Sequence, residues 1–346
     1  MSTRQRVLSG MRPTGQLHIG HLVGALANWR ELQARYECFF MVADWHALMS
    51  EYDQSPASLR SWTYANLADW LAAGIDPARS VIFRQSDVPE HAELFSLLAI
   101  LTPLGWVERV PTYKEQLREL AGRDLATYGF LGYPVLQTAD ILLYKAHCVP
   151  VGEDQLPHLE LAREIVRRVH HFAGRVLFPE PEALLTQAPK LLGIDGRKMS
   201  KSYGNAIELG APEGEIRAAA QKMFTDPTRI RMSDPGHPET CNVCQYWKVF
   251  APERAGEMWE GCRTATRGCA QNKRELGDVL ADMTRPFRES RERLQSGGGE
   301  QAKLEAILQA GAVTARAVAQ QTMREVKAVF GLGASVSGVP PGSRNA

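Results

Sequence analysis

The chain has 346 residues, 44% of them hydrophobic and 23% charged, a balance that suits a large globular core with a smaller one beside it. The formal net charge of +1 excludes a strong whole-molecule field, so a nucleic-acid partner would have to be held by local basic patches. No apolar run is long enough to span a bilayer, and the first residues lack a signal-peptide core, so the expectation is a cytoplasmic protein with no membrane partner.

In chain order, residues 6–10 read as a short strand. Residues 17–32 read as a helix, with Ile19, Leu22, Val23, Leu26 and Trp29 on one face. Residues 37–43 form a continuous apolar run, the mark of a strand buried on both sides. A helix over 57–73 stops at Gly74. Ser80–Arg84 and residues 146–151 are further strands, and 156–169 is a helix with Leu159, Ala162, Val166 and Val169 in register. This alternation predicts an α/β fold, a doubly wound parallel sheet of Rossmann-like type.

Beyond Gly204 strand-like runs vanish. Helical, charged segments at 213–224, 252–262, 272–294 and 301–330 predict a smaller all-helical part. A glycine-rich break at 296–299 precedes the last helix. The tail is rich in Gly, Pro and Ser and is expected to be disordered.

Two segments carry chemistry. His18-Ile19-Gly20-His21 lies between the first strand and its helix, where an open α/β sheet binds ligands. A turn opening onto a helix N-terminus suits a polyphosphate. Gly20 would allow a ribose or base close to the backbone, and the two histidines would donate to phosphates as charge builds. Arg12-Pro13-Thr14 adds a cation in the preceding loop. The second segment, Lys198-Met199-Ser200-Lys201-Ser202, sets two point charges on a loop flanked by Gly196 and Gly204, suited to clamping a leaving pyrophosphate. Either alone could be a solvated surface feature.

Together, in this order, they resemble the HIGH and KMSKS motifs of the class I aminoacyl-tRNA synthetases. Residues 9–15, 43–48, 108–114, 133–140 and 149–155 further resemble the tryptophanyl branch, with the tyrosyl branch as the near competitor. The resemblance implies an enzyme that activates L-tryptophan with ATP and Mg²⁺ and loads tRNA(Trp), working as a homodimer. It implies catalytic roles for His18, His21, Lys198, Lys201 and Lys114. ATP would be held by Arg12, Pro13, Thr14, Gly20, His21, Gly152, Glu153, Asp154 and Leu191, together with Lys198, Met199, Ser200, Lys201 and Ser202. Asp140 would accept the indole N–H, since that nitrogen only donates and a carboxylate only accepts. Tyr133 and Gln155 would hold the amino group, and Leu8, His46, Gln137, Val149 and Val151 would line the ring pocket. Where the family often has Met, this chain has Gln137, which makes the pocket more polar.

The resemblance also implies a layout. Residues 1–203 would form the catalytic domain and 204–300 a helical anticodon-binding domain. A C-terminal helix over 301–331 would pack back on the catalytic part, ahead of a tail over 332–346. A nucleotidyltransferase would lack the lysine motif, and a non-catalytic RNA-binding paralogue need not keep His18, His21, Lys198 and Lys201.

Cys241, Cys244, Cys262 and Cys269 are spaced compactly enough for a tetrahedral Zn²⁺ or a [4Fe–4S] cluster. They resemble the pattern of a subset of bacterial tryptophanyl enzymes that carry such a cluster. Cys241, Cys262 and Cys269 match its first three positions, and its fourth falls on Asn272, where Cys244 could substitute. The resemblance favours [4Fe–4S] and keeps zinc open. Arg229, Arg231, Arg285, Arg288, Arg291 and Arg293 are candidates for tRNA phosphate contacts.

Overall fold

The computed structural model describes residues 4–53, 55–111, 127–185, 189, 191–200 and 203–332. Lys114, Lys201, Ser202 and the tail beyond residue 332 lie outside them. Among the described residues five strands form one parallel sheet: β1 (Arg6–Met11), β2 (Glu37–Val42), β3 (Ser80–Arg84), β4 (Cys148–Val151) and β5 (Glu182–Leu185). Their order is β3-β2-β1-β4-β5. The chain winds outward from β1 in one direction and from β4 in the other, so the switch point lies between β1 and β4. That is where such sheets bind ligands.

The apolar runs are explained by their two-residue period. Val7, Cys38, Phe40, Val42 and Ile82 pack into one core, with the Ala27–Arg35 and Pro56–Ala72 helices. Leu8, Phe39, Met41 and Phe83 pack into the other, with the helices Glu90–Leu101, Tyr128–Leu143, Leu156–Ala173 and Glu300–Val329. Both faces of the sheet are thus covered, as an all-parallel sheet requires. β5 is short and half-exposed, which is why its sequence gave no strand signal.

Helix limits follow from their caps. Ser55 accepts from the Ala57 N–H ahead of Pro56, and Gly74 leaves the first long helix at φ +92°. Thr127 caps the Tyr128–Leu143 helix by accepting from the Phe130 N–H at 3.2 Å.

The helix expected over 17–32 is not one regular element. A short turn at Ile19–His21 passes into a five-residue π-turn at Leu22–Leu26, and an α-helix resumes at Ala27–Arg35. The Ala27 N–H reaches back to the Leu22 carbonyl, which inserts an extra residue and rotates the face presented by His21, Ala25 and Asn28.

The helical half is joined to the sheet rather than separate from it. Its helices Glu213–Lys222, Asn242–Phe250, Pro252–Arg263 and Cys269–Gln295 share the first core, through Ile216, Trp247, Leu276 and Phe287. The Glu300–Val329 helix returns to cover β3, and Gly311 lies so close that a Cβ there would overlap the Ile82 carbonyl. Arg291 was expected to face solvent and RNA phosphates. It is instead buried, making a bidentate pair with Asp69 of the Pro56–Ala72 helix at 3.0 and 2.6 Å.

Candidate active site

A cavity of 570 Å³ opens at the carboxyl ends of β1, β2 and β4. Its floor is built by the Tyr128–Leu143 helix. Tyr133, Gln137 and Asp140 stand at i, i+4 and i+7, so one face aims all three side chains into the cavity. Leu8, Met41, Val149 and Val151 supply apolar walls from the strand ends, joined by His46.

Asp140 is 2% exposed and sits in a network of donors. Its Oδ2 meets His46 Nε2 at 2.7 Å; its Oδ1 meets His91 Nδ1 at 2.7 Å and accepts from Gln85 Nε2 at 2.9 Å. Burial alone would push the carboxyl up, but the facing His91 and His46 outweigh it and hold it below the usual carboxylate range. A carboxylate offers about four lone-pair sites. Three are taken, leaving room on Oδ2 for one more donor from the cavity.

Farther out, Tyr133 Oη lies 3.2 Å from His158 Nε2. Burial lowers His158 to about 4, with Asp154 opposing and His46 adding to the shift, so its imidazole is neutral at pH 7. Gln155 donates its amide N–H to Asp154 at 2.9 Å and keeps its carbonyl oxygen as an acceptor at the rim. A phenol oxygen and an amide oxygen lining one cavity suit an ammonium group. Gly152 precedes Asp154 and Gln155, and a Cβ there would come within 2.6 Å of the Asp154 carboxylate.

At the mouth stands the histidine turn. The His18 N–H donates to His21 Nδ1 at 3.2 Å. An accepting Nδ1 leaves the proton of neutral His21 on Nε2, so the ring presents a donor on its other side. The two rings lie 3.9 Å apart.

The lysine loop is brought to this turn by a short antiparallel pairing: the Ile19 N–H donates to the Ile207 carbonyl at 3.0 Å, and the Leu209 N–H to the Leu17 carbonyl at 2.8 Å. At Gly20 a Cβ would stand 3.0 Å from the His18 ring and 3.2 Å from Met199 Sδ. The two motifs, about 180 positions apart in the chain, therefore pack against each other, and a side chain at position 20 would crowd that contact.

The loop itself is tied from within. Asn205 is 2% exposed. Its amide nitrogen donates to Asp195 at 2.8 Å and to the Lys198 carbonyl at 3.1 Å, while its oxygen accepts from the Ser200 N–H at 2.8 Å. Desolvation pushes Asp195 up, but hydrogen bonds from the Arg197 N–H, Asn205 and the Arg197 side chain together outweigh it and hold the carboxyl down to about 2. Gly196 turns the loop at φ +80°. Tyr246 and Asn242 then fasten its base by donating to the Leu192 and Gly193 carbonyls at 2.7 and 2.8 Å.

Among the expected site residues, Leu8, Arg12, Thr14, His21, His46, Tyr133, Gln137, Asp140, Val149, Val151, Gly152 and Gln155 line the cavity. His18, Gly20 and Met199 stand together at its mouth, with Lys198 and Ser200 on the tied loop. Pro13, Glu153, Asp154 and Leu191 do not line it. Lys114, Lys201 and Ser202 fall outside the described residues. His91, Gln85, Tyr144 and Asn205 were missed, because a lone buried His, Gln, Tyr or Asn carries no periodic or motif signal.

Three of the four clustered cysteines, Cys241, Cys244 and Cys262, meet around the start of the Asn242–Phe250 helix. Cys244 donates to Cys241 and contacts Cys262, and Arg229 Nη1 lies 3.9 Å from both the Cys262 and Cys269 sulfurs. The Cys244 hydrogen bond holds the Cys241 thiol low, while Cys244 itself is pushed up. Among the described residues no group of three or more His, Cys, Asp or Glu side chains is arranged to hold a metal ion. The Asn272 amide oxygen, at the pattern's fourth position, accepts from Arg267 Nε at 2.9 Å. Half-exposed Arg229 donates from Nη2 to the Met232 carbonyl at 2.8 Å. No helix among the described residues is long and apolar enough to cross a membrane.

Comparison with known proteins bears on this geometry. The profile of tRNA synthetases class I (W and Y) matches residues 2–284. A tryptophan–tRNA ligase of Thermotoga maritima is 51% identical over 94% of this chain and 99% of its own length. One of Ralstonia nicotianae is 42% identical over 95% and 98%. Among solved structures, the tryptophanyl-tRNA synthetase of Campylobacter jejuni, complexed with ADP and tryptophan, superposes with a TM-score of 0.86 at 34% identity, covering 94% of this chain and all of that one.

Proposed function

The chain belongs to the class I tRNA synthetases of the tryptophan and tyrosine branch, and from that premise we infer how its residues divide the work. Its activity is that of a tryptophan–tRNA ligase. L-tryptophan and ATP give tryptophanyl-adenylate and pyrophosphate, and the tryptophanyl group then passes to tRNA(Trp). The observation that carries the residue assignment is the contact of the histidine turn with the lysine loop over a cavity whose floor is a buried, donor-ringed carboxylate.

In this reading the indole lies between Leu8, Val149 and Val151, with its N–H on Asp140 Oδ2. Gln137 edges the ring pocket. Tyr133 and Gln155 take the ammonium group, which turns the carboxylate toward the mouth. ATP enters as its Mg²⁺ complex, with the metal held mainly by phosphate oxygens. The tryptophan carboxylate attacks the α-phosphorus, the bond to the bridging oxygen breaks, and pyrophosphate leaves with that electron pair. No covalent enzyme intermediate is needed, so catalysis is positioning plus stabilisation of developing charge. His18 and His21 serve the α/β side. Lys198 and Lys201 close over the β/γ side, with Lys114 opposite. Arg12, Pro13, Thr14, Gly20, Met199, Ser200 and Ser202 frame the phosphates. Gly152, Glu153, Asp154 and Leu191 frame the nucleoside.

We assign residues 204–300 to anticodon recognition and 1–203 to activation, in a cytoplasmic homodimer. Exposed Ile100, Leu104 and Tyr128 on adjoining elements offer an apolar face for a second subunit. For the cysteines we propose a structural [4Fe–4S] cluster, with Zn²⁺ as the alternative. Cys241, Cys244 and Cys262 in mutual contact, with Cys269 joined to them through Arg229, have the right donor chemistry. Visible absorption with iron and sulfide assays decides it, and stoichiometric zinc without iron overturns the cluster. The function is tested by amino-acid-dependent ATP–pyrophosphate exchange across the twenty amino acids. Exchange with tryptophan alone is expected, and exchange with tyrosine instead would refute the assignment.

A further inference from the structure

We propose that His91, backed by Tyr144, is the positioning residue that aims Asp140 at the indole N–H and so sets selectivity for a ring that carries one. This rests on the assignment of Asp140 as the indole acceptor. His91 is fully buried and does not line the cavity, so it acts through Asp140 and not on substrate.

The hydrogen bonds fix its state. Nε2 lies 2.7 Å from the Tyr144 hydroxyl, and Nδ1 lies 2.7 Å from Asp140 Oδ1. Burial, with the charges of Asp140 and Glu90, pushes the Tyr144 phenol well above its usual value, so it keeps its proton. Tyr144 can then donate to Nε2, which places the imidazole proton on Nδ1, facing Asp140. Gln85 donates to the same oxygen from the end of β3. Oδ1 is thereby locked by two donors from behind, and the plane of the carboxylate is set. Oδ2 is what remains for the cavity, shared with His46.

Removing the His91 donor has two effects. The carboxylate can rotate, and burial is then opposed by one hydrogen-bond donor fewer, which favours its protonated form. A carboxyl protonated on Oδ2 turns a donor toward the indole N–H, and two donors facing each other do not bind. The loss should therefore fall on substrates with an indole N–H and spare those of the same shape without it.

The test compares tryptophan with β-(benzothiophen-3-yl)-L-alanine, which has the same bicyclic outline but sulfur in place of N–H, in pyrophosphate exchange on the full chain. In His91→Leu the ratio of kcat/KM for tryptophan over the analogue should fall about tenfold or more, mainly through the tryptophan KM, with the ATP KM unmoved. His91→Asn, whose amide nitrogen can sit near the Nδ1 position, should restore the ratio to within about threefold of the parent. Tyr144→Phe should lower it by an intermediate factor, and carries the test if His91→Leu does not fold. An equal loss for both amino acids in His91→Leu, or an unchanged ratio in Tyr144→Phe, overturns the proposal. Asp140→Asn separates it from its premise. An unchanged ratio in that variant defeats the indole assignment itself. A collapsed ratio there beside an unchanged one in His91→Leu defeats only the role of His91.

Discussion

Replacing Asn205 with alanine asks whether the lysine loop works through a fixed shape or only through its charges. The Asn205 amide joins three points of the loop: the Asp195 carboxylate, the Lys198 carbonyl and the Ser200 N–H. Truncation strands the last two and takes one donor from the first. Water reaches the half-exposed loop, so each stranded group costs about 1 kcal/mol, the low end for an unmet hydrogen bond. Two of them make about 2 kcal/mol of lost loop order, or a roughly 30-fold fall in kcat if Lys198 acts only when the loop is in place. Pyrophosphate exchange measures kcat, and equilibrium dialysis with labelled tryptophan measures affinity, which should stay within about threefold. Asn205→Asp sharpens the test. It keeps an acceptor for Ser200, but sets a second carboxylate against Asp195, which is ionised at neutral pH because its neighbours hold it to about 2. The aspartate variant should therefore be no better than alanine, although closer in shape. Unchanged kcat in Asn205→Ala, or a matching loss of tryptophan affinity, would refute the reasoning.

Asp140→Ala should raise the tryptophan KM by about two orders of magnitude while the ATP KM moves by less than about threefold; comparable losses for both ligands would count against the indole contact. His158 titrates at about 4 in the fold against 6.5 in the unfolded chain. Between those values the unfolded chain binds the extra proton, so stability is full above pH 6.5 and falls as pH drops toward 4, by up to about 3 kcal/mol. His158→Gln should flatten that part of a melting-midpoint profile, and an unaltered slope would show that another group sets it. Asp69→Ala leaves Arg291 charged and buried, and should cost about 3–5 kcal/mol in urea unfolding, whereas the double replacement Asp69→Leu with Arg291→Met should lie near the parent; equal losses in both would show that packing, not charge, matters there.

What the amino-acid order settled by itself is what has a local period or a dense motif. The run 37–43 had to be a doubly buried strand, because every residue from Cys38 to Val42 is apolar and alternate ones feed opposite cores. Tyr133, Gln137 and Asp140 had to share a helix face at their spacing. Tertiary structure decided the rest, because those contacts depend on where the chain returns. The π-turn after His21 is one such feature, since periodicity predicts only a regular helix there. β5 exists only because β4 offers it an edge. Arg291 reads as one of a row of solvated arginines until Asp69, 222 positions away, meets it. The contact between Gly20 and Met199, and the convergence of His46, Gln85 and His91 from three elements on Asp140, join groups with no sequence proximity, so only the folded chain brings their charges and lone pairs within reach of one substrate.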